Sequence, residues 1–189
     1  MKIYTKQGDA GQTMLFGGKH VTKGDVRIAA VGDVDELNAV MGLVVCAMGG
    51  VDGCDEVRDS LVRVQSELFD VGANLATPSE ADRHHIPEIT DSHVGRLEGE
   101  IDAAEGELEP LKTFILPGGS EAAARLHHAR AVCRRAERSV VLLDALEPIE
   151  RVLLRYLNRL ADHLFVMARL INKRAGIDDV PWVPGEKQG

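Results

Sequence analysis

Basic residues are in short supply in this chain of 189 residues: 22 lysines and arginines face 30 acids, for a formal charge of −8. Nucleic acids and anionic membranes bind through an excess of positive charge, so neither is expected as a bulk partner. Cysteine is scarce too. Cys46, Cys54 and Cys133 are odd in number and form no C-x-x-C pair, which argues against a disulfide framework and for thiols kept in a reducing compartment. The longest apolar run, Ala39 to Val51, is broken by three glycines and falls short of the roughly 20 residues that cross a bilayer. The N-terminal stretch from Met1 to Asp9 has no apolar h-region, so no signal peptide and a cytoplasmic location are expected.

Several chemical signatures are missing as well. No G-x-x-x-x-G-K-[ST] loop occurs, either near Gly8 or at Gly118-Gly119-Ser120, so a P-loop is not expected. No Glu-x-x-His pair lies on any helix, and a di-iron carboxylate bundle would need two. His127 and His128 are adjacent and cannot share one helix face; His84 and His85 fall in a loop. Nothing pairs a nucleophile with a base, and Cys133 sits on an apolar seam.

What the chain does have is helical periodicity. With 44% apolar and 28% charged residues, its composition is that of a folded domain. Five segments repeat apolar residues at steps of three and four: Ala30 to Met48, Val57 to Leu75, Val94 to Leu108, Ala122 to Leu143 and Leu153 to Ile171. That spacing predicts an all-α, five-helix bundle with nearly aligned, left-handed packing. No stretch alternates with period two long enough to suggest a sheet. Gly49 to Gly53 separate the first two helices, and Thr77-Pro78-Ser79 end the second. Thr90-Asp91-Ser92 and Ser120 are positioned to cap the third and fourth, and Pro148 sits near the start of the fifth. One domain is expected over 1–189, with 1–25 as an N-terminal loop and 177–189 as an extended tail.

Three places carry candidate chemistry. Thr5-Lys6-Gln7-Gly8-Asp9-Ala10-Gly11-Gln12-Thr13 lies outside every periodic segment. Its glycines let backbone N–H groups approach an anion, with Lys6, Thr13 and the nearby Lys23 as side-chain donors; a flexible tail with a turn fits the same residues. The fourth helix stacks Arg130, Arg134, Arg135 and Arg138 around Glu137. Like charges four residues apart repel, so these arginines need partners: a polyphosphate, whose oxygens match the guanidinium fork, or acids on neighbouring helices. On the fifth helix Asn158, Asp162, Phe165, Arg169 and Asn172 form a polar stripe opposite the leucines. Asp35 and Asn38 form a similar one on the first. Asparagine is a poor helix former, so such a face suits a second subunit or a ligand better than plain solvent.

Taken in order, these blocks resemble one family, the PduO-type cobalamin adenosyltransferases. The resemblance rests on Tyr4 to Thr13, Gly32-Asp33-Val34-Asp35-Glu36-Leu37-Asn38-Ala39, Phe114-Ile115-Leu116-Pro117-Gly118-Gly119-Ser120, Leu126 to Arg138 and Tyr156 to Phe165. It implies a homotrimer with active sites between subunits, which transfers the 5′-deoxyadenosyl group of ATP to the cobalt of cob(I)alamin. Thr5, Lys6, Gln7, Gly8, Thr13, Met14 and Lys23 would hold ATP from one subunit. Arg134, Arg135, Glu137, Arg138 and Asn158 would hold it, with Mg²⁺, from the next. Asp35 and Arg130 would pair across the boundary, and Phe114 would press on the lower face of the corrin. Many members have Thr where this chain has Gln7, which can still donate. A reductase and an adenosylcobalamin-dependent enzyme are implied as partners. An ATP-gated cobalamin escort without turnover, or a purely structural helical module, would share much of this pattern.

Overall fold

The structure, a computed structural model, describes residues 3–49, 53–78 and 85–185. Five helices carry it: α1 (Val26–Ala47), α2 (Asp55–Leu75), α3 (Asp91–Glu105), α4 (Glu121–Leu146) and α5 (Arg151–Arg174). Parts of the expected loops and ends lie outside the described residues: Met1 and Lys2, Gly50 to Asp52, Ser79 to His84, and 186–189.

Helices α1 and α4 start where a short polar side chain can take an orphan N–H. The Asp25 carboxylate accepts from the backbone N–H of Arg27 at 2.8 Å, and the Ser120 hydroxyl from that of Ala123 at 3.2 Å, so α1 and α4 are capped in the usual way. At the start of α3 the backbone N–H of Thr90 donates to Nδ1 of His93 at 3.1 Å. Helix α5 begins at Arg151, three residues after Pro148, and carries Lys173 and Arg174 in its last turn. Cations there complement the helix dipole.

The apolar seams meet as their spacing requires. Leu37, Met41, Leu61, Leu68, Leu126, Leu143, Leu157, Leu160 and Leu164 are fully buried in one continuous core. Helix α1 packs on both α2 and α4, α4 packs on α5, and α5 packs on α3. Between α2 and the α3–α5 pair the bundle closes through polar side chains. Glu67, buried on α2, accepts from the Tyr156 hydroxyl of α5 at 2.8 Å and pairs with Arg96 of α3 and with Arg63. One turn before Arg63, Ser60 donates to Glu100 of α3 at 2.6 Å, and the same carboxylate oxygen lies 2.9 Å from Nε2 of the buried His163.

Two features depart from an all-helical expectation. An antiparallel hairpin of β1 (Gln12–Met14) and β2 (His20–Thr22) occupies the N-terminal segment. Its strands have three residues each, too short for a period of two to register. Ile115 and Pro181 form an isolated antiparallel bridge, so the C-terminal strip is extended but tied down.

Candidate active site

The N-terminal segment is folded around its glycines. Lys6 has φ 63° and Gly11 φ 79°, which turns the chain sharply; the backbone N–H of Gly11 donates to the carbonyl of Gly8 at 3.1 Å. The ammonium of Lys23 lies over Gly8, where an added Cβ would come within 3.2 Å of it. Glycine at position 8 therefore lets lysine and backbone converge, a concave donor surface suited to an anion. Thr5, Lys6, Gln7, Met14 and Lys23 are exposed, and Gly8 and Thr13 half-buried. The hairpin is fixed at its base, since Leu15 is buried and Phe16 N–H donates to the carbonyl of Ala76 at 3.1 Å.

The second assembly lies on α3, α4, α5 and the segment between α3 and α4. Phe114, Arg130, Arg134, Arg159, Asp162 and Phe165 line part of a cleft of about 910 Å³. Its lining combines aromatic and aliphatic side chains with guanidinium groups. Arg130 stands 5.7 Å above the ring of Phe165, a favourable cation–π placement. Arg159 is engaged by Glu98 at 3.0 Å and Asp162 at 2.8 Å. Arg130, Arg134 and Arg138 make no ion pair or hydrogen bond with any of the described residues. Among the described residues, none of the N-terminal segment lines this cleft.

Not every arginine of the cluster is free. Arg135 is paired with Glu36 and with Asp33 at 3.6 Å, both on α1; the hydrogen bond from Arg135 holds the Glu36 carboxyl below its ordinary range. Asn158 donates to Glu137 at 2.9 Å. Asp35 is exposed and unpaired with Arg130 within the chain. Asn38 is not a surface group: it donates to the carbonyl of Gln65 at 3.0 Å, and Gln65 returns a bond to its carbonyl at 3.2 Å, joining α1 to α2. On α5 the polar stripe divides. Asn158 and Asp162 are exposed, whereas Arg169 and Asn172 are buried and hold the neighbouring loop. Cys133 is core: it donates to the carbonyl of Leu157 at 3.3 Å, and burial pushes its thiol far above the ordinary value. The side chain of His127 packs edge-on to Phe165, and burial together with nearby Arg130 lowers its pKa.

The sequence profile of the cobalamin adenosyltransferase family matches residues 3–171, nearly the whole chain. The chain belongs to this family. A corrinoid adenosyltransferase of Bacillus subtilis is 46% identical over 182 residues, covering 96% of this chain and 92% of that protein. The corrinoid adenosyltransferase PduO of Citrobacter freundii is also 46% identical, over 169 residues; the match covers 89% of this chain but 49% of that longer protein. Among solved structures, a phenylalanine-to-alanine variant of a PduO-type ATP:corrinoid adenosyltransferase from Lactobacillus reuteri, complexed with cobalamin and ATP, superposes with a TM-score of 0.91. It shares 38% identity, over 97% of this chain and all of that one.

For a cobalamin adenosyltransferase the useful residues that sequence reasoning passed over are those surrounding Phe114. Lys112 and Thr113 line the cleft beside it, and the ring of Trp182 meets it edge-on, 6.4 Å between centroids. Trp182 is the chain's sole tryptophan. Lying in an aperiodic tail, it carried no pattern, though its large apolar surface was a signal that it packs on something.

Proposed function

We propose that this chain is an ATP:cob(I)alamin adenosyltransferase, on one observation above the rest: Phe114, Arg130 and Arg134 line a single cleft. Cobalt(I) is the nucleophile. Its electron pair forms the bond to C5′ of ATP, the C5′–O bond breaks, and that pair leaves with inorganic triphosphate. No side-chain nucleophile is needed, so the protein's work is orientation and electrostatics. The leaving group carries concentrated negative charge. Arg134, with Arg130 and Arg138 near it, is free to meet it, and preorganised cations at developing charge act strongly in a site with little water.

The phosphate-ready turn at Gly8 and Lys23 and the arginine cleft are separate within one chain, which supports a site completed between subunits of a homotrimer. In that arrangement Thr5, Lys6, Gln7, Gly8, Thr13, Met14 and Lys23 of one subunit face Arg134, Arg138, Glu137 and Asn158 of the next. Asp35 reaches Arg130 across the boundary. Arg135 contributes less, since α1 already occupies its fork. Val141, Leu142 and Leu146 at the end of α4 are large, apolar and exposed, a face that a neighbouring subunit would cover. Mg²⁺ would arrive on the triphosphate oxygens: among the described residues no three His, Cys, Asp or Glu gather as a metal cage. Phe114, 79% exposed at the cleft, would occupy the lower face of the corrin and displace its axial base, leaving four-coordinate cobalt that is easier to reduce. The domain is single, with 1–25 as its nucleotide loop and the strip from 177 as its tail. Among the described residues no helix is long and apolar enough to cross a membrane, in keeping with work in the cytoplasm between a reductase and an adenosylcobalamin-dependent enzyme.

Anaerobic incubation with ATP, Mg²⁺ and cob(I)alamin tests the reading. Growth of the visible spectrum of a cobalt–carbon product, with one triphosphate released per product, is expected. Binding of both substrates without either product would overturn it.

A further inference from the structure

Phe114 presents a mechanical problem. A ring that presses on a ligand must resist being pushed back, yet this one projects from a loop and is 79% exposed. What stands behind it comes from the far end of the chain. Trp182 N–H donates to the carbonyl of Phe114 at 2.7 Å, and Leu116 N–H donates to the carbonyl of Val180 at 2.8 Å. These bonds pair 114–116 with 180–182 in antiparallel fashion about the Ile115–Pro181 bridge. The indole of Trp182 then meets the Phe114 ring at an interplanar angle of 70°, the edge-to-face arrangement favoured by aromatic quadrupoles.

The strip is itself anchored to the bundle. Asp179 accepts from Nε of the buried Arg169 at 2.8 Å, and the same guanidinium donates to the carbonyl of Glu109 at 2.8 Å. Three residues further along α5, Asn172 donates to the carbonyl of Gly118 at 3.1 Å and accepts from Ser120 N–H at 3.0 Å. Gly119, at φ 101°, passes so close to that amide that any side chain there would collide with it. The loop is thus held on one side by α5 and on the other by residues 179–182, which reach the same helix through Arg169.

We propose that the strip Asp179–Trp182 is a backstop for Phe114, and that Trp182 is a positioning residue for the step in which the corrin's lower ligand is displaced. The proposal rests on the reading of Phe114 given above. Trp182 touches Phe114 rather than the reacting atoms, so its removal has a specific consequence. The ring keeps its identity but loses the surface that transmits force to it. Binding of ATP and attack by cobalt already reduced to cob(I) do not draw on that surface.

The test uses the intact enzyme with ATP and cob(II)alamin, reading the four-coordinate cob(II)alamin by its visible and paramagnetic resonance spectra, alongside turnover on pre-reduced cob(I)alamin. Trp182→Ala is expected to lower the four-coordinate population about tenfold, the scale one aromatic contact can carry. Turnover on cob(I)alamin should change less than about twofold, and Phe114→Ala/Trp182→Ala should lose no more than Phe114→Ala alone, as residues acting in series do. Trp182→Phe should restore most of the signal. The main-chain pairing survives these changes; if Trp182→Ala does not fold, Trp182→Leu, which keeps the apolar bulk but not the ring edge, gives the same reading. A wild-type spectrum in Trp182→Ala, equal loss from both cobalt states, or additive losses in the double variant would overturn the backstop while leaving Phe114's role intact. A wild-type spectrum in Phe114→Ala would overturn both.

Discussion

Two groups of charged residues in this bundle use the same side chains and end in opposite states. Between α2, α3 and α5, Arg63, Arg96, Glu67, Glu100 and His163 are woven together with Ser60 and Tyr156, and every one of them has a polar partner. On α4, Arg130, Arg134 and Arg138 have none among the described residues, although the chain carries eight more acids than bases. Desolvating a charge is costly, so a buried network persists only when its members satisfy one another. Arg134 and Arg138 are exposed and unpaired, and Arg130 touches only the Phe165 ring among the contacts described, so ion pairing within the chain does not account for them. The first group joins helices; the second is the one proposed to meet an anion.

The contrast is broken most sharply at Arg134. Arg134→Ala should lower turnover on cob(I)alamin by about a hundredfold or more, the usual cost of removing one donor to developing charge. Its melting temperature should stay close to wild type, because no ion pair or hydrogen bond among the described residues is lost. A full loss of fold would place Arg134 in the first group. Next comes Glu67→Ala, which strands the Tyr156 hydroxyl and the Arg96 guanidinium, while Arg63 keeps Glu100. Removing one partner of a buried ionic network is costly, but Arg63 and Arg96 are about a third exposed, so about 3 kcal/mol is expected in urea unfolding. Activity per folded molecule should persist.

Acid separates the groups in a third way. Burial opposes ionisation of Glu100, but hydrogen bonds from His163 and Ser60, with the charges of His163 and Arg63, prevail and lower its pKa from 4.5 to about 2. A carboxyl with a depressed folded pKa stabilises the fold above its unfolded value and loses that contribution as pH falls through the folded one. Stability should therefore drop between about pH 4.5 and 2, and Glu100→Gln should flatten the slope there, measured by urea titrations across that range. The smallest effect belongs to Arg135. It sits in the arginine run but its partners, Glu36 and Asp33, are on α1, and exposed pairs contribute little. Arg135→Ala should leave the melting temperature unchanged and reduce turnover by less than about tenfold, well short of Arg134→Ala.

The five seams were readable because burial of Leu37, Leu61, Leu126 and Leu160 repeats at helical spacing, and that spacing is local. The arginine run was readable as an anomaly, but not its division: whether Arg135 or Arg134 is free depends on where α1 places Glu36. Asn38 and Asn172 looked like one kind of residue and serve another. Each is buried and bonded to backbone far away in sequence, at Gln65 and at Gly118, and no periodicity carries such information. The hairpin of 12–14 and 20–22 escaped notice because it is too short to show a pattern, and Phe114 and Trp182 pair across about a third of the chain, beyond the reach of any local spacing.

The central claim is that the Gly8–Lys23 turn of one subunit and the α4 arginines of another form one site, and mixing two crippled subunits tests it directly. Lys23→Ala and Arg134→Ala, each nearly inactive alone, would be unfolded together in equal amounts and refolded as mixed oligomers. If each site takes its turn from one subunit and its arginine from the next, about a quarter of sites receive two intact halves, one half times one half, and about a quarter of wild-type activity returns. If both halves belong to the same chain, no site is ever whole, and the mixture stays as inactive as its parts.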